Sequence, residues 1–102
     1  MRLLDGATAP ITGDGVRVGR SLSFAPPTFQ ANLFGTGAIS ATIAIDVSND
    51  DVNFVPSALT LSPNGTTSAF DGGVIDAAWL FFRARVVSIS GTGAAVTVVM
   101  GA

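Results

Sequence analysis

Between positions 46 and 53 the chain carries Asp46, Ser48, Asp50, Asp51 and Asn53, a run of hard oxygen donors of the kind Ca²⁺ accepts. A calcium-binding EF-hand loop starting at Asp46 needs Gly where Asp51 stands and Glu where Ser57 stands, so that motif fails. The same residues also describe a polar hairpin whose Asn and Asp side chains cap their own turn, and this is the preferred reading. Asp50 and Asp51 are adjacent. Neighbours in a turn do not face each other across the ~5 Å cleft that paired-carboxylate glycoside hydrolysis requires.

Arg83 and Arg85 lie two apart in a strand-like segment and so share a face, with Trp79 and Phe81 on the same side. Arginine beside aromatics suits a contact surface for a partner. The alternative is a solvated face paired with Asp46 or Asp76 across the sheet. Serines are plentiful, but no His or Lys is present to serve as their base. The Gly-x-Gly triplets starting at Gly13, Gly35 and Gly91 lie between strand-like segments. Neither Gly-Lys-Ser nor a helix start follows them, so they are not phosphate loops. Asn64-Gly65-Thr66 matches a glycosylation sequon and reads only as a turn.

Composition narrows the function classes further. The 102 residues contain no Cys, His, Lys, Glu or Tyr, so thiolate and imidazole chemistry are excluded and every charged side chain is Asp or Arg. The expectation is a protein that is not an enzyme and needs no cofactor or metal. A net charge of −2 gives no general attraction for nucleic acid. The apolar run 77–82 is far shorter than the ~20 residues of a membrane-spanning helix. Asp5 and Gly6 follow Met-Arg-Leu-Leu at once, so no secretory segment is read and synthesis in the cytoplasm is expected. Charged residues make up 12 %, against about 25 % in ordinary soluble domains, which suits a surface partly covered in an assembly.

The elements that position these residues are strands. Residues 1–20, broken by Gly6, Pro10, Gly13, Gly15 and Gly19, read as an N-terminal arm or short edge strand, with Val16-Arg17-Val18 the strand candidate. Residues 21–102 read as one β-sandwich domain. Leu22 and Phe24 alternate with serines before Pro26-Pro27, and Phe29, Ala31 and Leu33 alternate with Gln30 and Asn32. Ile39, Ala41, Ile43, Ile45 and Val47 form the clearest period-two face. Turns are expected at 49–51, at Ser62-Pro63-Asn64-Gly65 and at Asp71-Gly72-Gly73. Leu80, Phe82, Ala84 and Val86 are expected to point inward in a strand over 79–89. Gly35-Thr36-Gly37 and Gly91-Thr92-Gly93 read as similar hairpin loops, the second joining that strand to a last strand over 94–100. Six to eight strands at this spacing predict an all-β, antiparallel β-sandwich of Ig-like or jelly-roll type.

The run Ile45-Asp46-Val47-Ser48-Asn49-Asp50-Asp51-Val52-Asn53-Phe54 resembles a hairpin of small β-sandwich virion proteins of tailed bacteriophages. There the pattern is Ser-Asn-Asp-Gly, any residue, Asn, then Trp or Phe; Asp51 here replaces the Gly. Residues 79–86, Ser90-Gly91-Thr92-Gly93-Ala94 and Val96-Thr97-Val98 resemble the closing hairpin of the same proteins, and the likeness covers about residues 28–101. It implies a capsid decoration (cement) protein on the virion's outer head surface. Such a protein is often a homotrimer and binds the major capsid protein at capsomer junctions through many weak contacts. The alternative is a tail, neck or fibre module binding host-surface glycan, which needs an exposed aromatic such as Trp79 or Phe81. The expected contact residues are Arg2, Leu3, Leu4, Ile11, Arg17 and Arg20 of the N-terminal segment, with Arg83 and Arg85. No nucleic acid or membrane partner is expected, and the N-terminal arm is expected to be removable from a folded sandwich.

Overall fold

A computed structural model describes residues 2–17, 27–75 and 79–101. Every regular element among them is a strand: β1 (Arg2–Ala7), β2 (Val16–Arg17), β3 (Thr28–Ser48), β4 (Val55–Leu61), β5 (Asn64–Val74) and β6 (Phe81–Gly101). All six belong to one antiparallel sheet. Leu22, Phe24, Pro26, Arg20, Val18 and Asp76 lie outside the described residues.

The sheet is built of long strands in the order β1-β6-β3-β4, with β2 also on β6 and β5 also on β3. β3 and β6 are each 21 residues long and pair along their whole length, from Thr28↔Gly101 to Ser48↔Phe81. β4 and β5 lie end to end on the other edge of β3, from Val47↔Val55 and Ile43↔Leu61 to Ser40↔Asn64 and Thr28↔Val74. β1 and β2 lie end to end along β6. A strand of 21 residues fully extended would span about 66 Å, yet the longest dimension of the molecule is 43 Å. The strands must therefore fold over.

The place where they fold is the pair of glycine triplets. Thr36 stands opposite Thr92, with register shifts on either side. Gly37, Gly91 and Gly93 have φ of 73°, 119° and 64°, and Thr67 on β5 has φ of 63°. Left-handed backbone thus occurs on three neighbouring strands at one level, where bulges bend each strand in the same sense. Beyond this crease the two halves of the sheet face each other. Phe29 and Phe82 lie at opposite ends of the ribbon, but their ring centroids are 5.6 Å apart. The result is a sandwich made from one sheet. Its first leaf comprises β1, residues 28–34 of β3, residues 68–74 of β5 and residues 94–101 of β6. Its second leaf comprises β2, β4, residues 39–48 of β3 and residues 81–90 of β6.

The core lies between the leaves. Phe29, Ala31, Leu33, Val96, Val98 and Met100 of the first leaf meet Ile39, Ile43, Ile45, Val47, Phe82, Ala84 and Val86 of the second. Both open sides are closed. On one, the backbone N–H of Ser62 donates to Asp71 Oδ2 at 2.8 Å, and Leu59 fills the space beside Gly73. On the other, Gly13 runs close against Leu3 and Leu4, and its N–H donates to the Ala84 carbonyl at 2.8 Å.

Four local expectations are corrected. The Gly-Thr-Gly triplets are not hairpin loops; each lies inside a single strand, so the predicted strands on either side of each are two arms of one creased strand. The chain does not reverse at Ser62-Pro63-Asn64-Gly65: β5 continues along β3 in the direction of β4, and Pro63 keeps the ladder by accepting from Ala41 N–H at 3.0 Å. Asp71-Gly72-Gly73 is strand paired with residues 29–31, not a turn. Leu80 is exposed, while Phe82, Ala84 and Val86 are buried as expected.

The segment 2–17 supplies edge strands and core. A bulge between Arg2 and Leu4 lets both Leu3 and Leu4 face inward, at 7 % and 9 % exposure. Of the two readings of this segment, a loose arm or an edge strand, β1 and β2 agree with the edge strand.

Candidate attachment surface

The outer face of the second leaf gathers the arginines. Asp46 on β3 stands opposite Arg83 on β6, and Arg85 is the next residue on that face. Asp46 is wholly buried. Its Oδ2 accepts from Arg83 Nε at 3.0 Å and Arg85 Nε at 3.2 Å; its Oδ1 accepts from Ser57 N–H at 3.0 Å and from an Arg85 terminal nitrogen at 3.3 Å. Burial alone would push the carboxyl pKa up. The Arg85 hydrogen bonds, the Ser57 N–H and the Arg83 hydrogen bond outweigh it and hold the group below its ordinary value. Arg83 also lies over the Phe54 ring, 4.0 Å from its centroid, so the loop after β3 is drawn onto this face.

One buried carboxylate against two guanidinium groups leaves a net positive charge. Both arginine side chains keep a little under a third of their surface exposed. Arg17 extends the face: it pairs with Phe81, which shares a side with Arg83 and Arg85, and it is exposed. Phe81 and Phe54 are half-buried among these cations.

The loop that carries Phe54 caps itself. Asp50 Oδ1 accepts from the backbone N–H of Val52 and of Asn53, each at 2.9 Å, and the Ser48 hydroxyl lies 2.8 Å from it. Ser48 Oγ accepts from the Asp50 and Asp51 N–H groups at 3.1 Å. These bonds, led by the Val52 and Asn53 backbone, hold the Asp50 carboxyl well below its ordinary value. Asp51 takes the left-handed conformation, φ 58°, that Gly adopts most easily. Asp46 points to the arginines and Asp50 to its own turn, so these two carboxylates do not converge. Among the described residues no group of three Asp, Glu, His or Cys is placed to hold a metal ion. Nor is any described helix long and apolar enough to cross a membrane.

The other predicted contact residues are dispersed. Arg2 is exposed and pairs with Asp5 at 3.3 Å, Ile11 is exposed, Leu3 and Leu4 belong to the core, and Arg20 lies outside the described residues. Trp79 is half-buried and packs against the core. Among the described residues, the aromatics most open to solvent are Phe34 and Phe70, on the outer face of the first leaf. The sequence signal for Phe34 is its parity: it follows Gln30 and Asn32 on the polar side of its strand.

Comparison of the chain with protein-family models, curated proteins and solved structures finds no match.

Proposed function

We propose that this protein is a non-catalytic attachment module of a tailed-phage virion, a decoration protein that binds the major capsid protein on the outer head surface. The observation that carries the reading is the Arg17, Arg83 and Arg85 face of the second leaf, bordered by Phe54 and Phe81. Arginine and aromatic side chains held rigid by their own structure lose little entropy on binding and are the residues that anchor interfaces. Among the described residues, the titratable groups with shifted pKa, Asp46 and Asp50, are both committed to internal hydrogen bonds, which suits holding a shape rather than moving protons. The resemblance of the 45–54 hairpin to phage sandwich proteins supplies the biological setting, and homotrimeric copies on a symmetric shell would multiply weak contacts.

The test is to mix the purified full-length protein with separated heads and tails of the phage that encodes it and to sediment each. Retention on heads supports the proposal. Retention on tails alone, or on neither, removes it.

A further inference from the structure

We propose that the outer face of the first leaf, turned away from the arginine face, holds a binding site for a neutral saccharide. A groove of about 500 Å³ runs along β3 over Thr28 and Gln30. It exists because the positions on either side carry no side chain: Gly101 is opposite Thr28 on β6, and Gly72 is opposite Gln30 on β5. Phe70 forms one wall and Val99 the other. The volume is that of an ordinary small-ligand site.

The lining selects the ligand class. Phe70 is 59 % exposed, and Phe34 meets it edge to face, with ring centroids 5.6 Å apart at 77°. This pair fixes the Phe70 ring while leaving more than half of the residue to solvent. A fixed aromatic surface suits the C–H face of a pyranose ring. Gln30 donates to Asn32 Oδ1 at 2.7 Å, which orients its amide and leaves its carbonyl oxygen and second N–H for ligand hydroxyls. Thr28 adds a hydroxyl. The Asp71 carboxylate, opposite buried Ala31, is turned away from the groove and accepts from Ser62 N–H at 2.8 Å and Gly72 N–H at 2.9 Å, which ties the β5 border of the groove in place.

Other classes fit less well. No Arg lines the groove, so a phosphate or carboxylate would find no cation there. With no carboxylate turned into the groove, a cation has too few ligands. A purely apolar ligand would leave Thr28 and Gln30 unpaired. An extended peptide would add to a strand edge, whereas this groove lies on a sheet face. The site does not depend on what the arginine face binds.

The test uses full-length protein on an array of hexose and N-acetylhexosamine oligosaccharides. Hits are followed by amide NMR titration with the same free sugars up to ~10 mM, a range that reaches millimolar affinities. Expected are binding to at least one neutral saccharide, shifts centred on the Gln30, Gly72 and Gly101 amides, and at least ~10-fold weaker binding in Phe70→Ala and in Gln30→Ala. Both positions are exposed, and unchanged thermal unfolding of each variant confirms its fold. No saccharide bound at these concentrations, binding only to charged sugars, or binding indifferent to both substitutions would overturn the proposal.

Discussion

Thr36 on β3 stands opposite Thr92 on β6, each at the centre of a Gly-Thr-Gly triplet, and the sheet folds over at this pair. The identical triplets are the two sides of one crease. Everything else in the fold follows from the crease, because it brings Phe29 against Phe82 and turns the arginine and Phe34–Phe70 faces outward on opposite leaves.

Glycines in the crease should differ sharply in what they tolerate. A Cβ on Gly91 would lie 2.5 Å from an Ile39 methyl and 2.8 Å from the Ala38 carbonyl oxygen, at φ 119°. Gly93 also has positive φ, 64°, but nothing lies within 4 Å of its Cβ position. Urea unfolding is expected to show Gly91→Ala losing about 3 kcal/mol, from strain plus overpacking, and Gly93→Ala only about 1 kcal/mol. Equal losses would mean that the triplets do not pack as described.

Removing Asp46 should leave two partly buried guanidinium groups without their acceptor. Asp46→Ala is expected to cost about 3–5 kcal/mol by urea unfolding. Replacing exposed Asp14 by Ala should change stability by less than about 0.5 kcal/mol.

Acid should unfold the protein through the same carboxylates. The folded pKa of Asp46 and of Asp50 lies below the ordinary 3.8, so between the folded and unfolded values the unfolded chain binds more protons. Stability from these groups is therefore present above pH ~4 and is lost as pH falls through the folded values. Thermal melts from pH 6 downward should show a falling midpoint below about pH 4. The fall should be shallower in Asp46→Asn, which no longer titrates. The same slope in both proteins would show that Asp46 is not held ionised by its arginines.

How much of this was legible in sequence depends on the residue. The alternation Ile39, Ala41, Ile43, Ile45, Val47 announces a half-buried strand, and all five are buried. The inward set Phe82, Ala84 and Val86 is legible for the same reason. The crease is not. A glycine at positive φ serves a hairpin and a sheet bend equally well, and only pairing of the flanking segments with a third strand separates the two. Pro63 looks like a turn because it lacks an N–H, yet its carbonyl faces β3 and is the group the ladder needs there. The left-handed Thr67 has no sequence signal, since β-branched residues avoid that conformation. Asp46 was legible as an arginine partner by face, but not as the fully buried centre of the cluster, which needs the 49–57 loop folded over it.

The N-terminal segment should be needed for folding. Leu4→Ala is expected to cost about 2–4 kcal/mol by urea unfolding, as for a buried leucine. A chain lacking residues 1–17 should lose the cooperative unfolding of the full-length protein. A truncated chain unfolding at the same midpoint would return this segment to the status of a loose arm.

The central claim, attachment through the arginine face, is tested most directly by head occupancy of the Arg17→Asp variant measured beside wild type at equal protein concentration. Arg17 is exposed, so the variant should fold normally. Charge reversal within the contact should lower occupancy at least ~10-fold at low salt, with a smaller difference at high salt. Equal occupancy of heads by the two proteins at low salt would contradict the account.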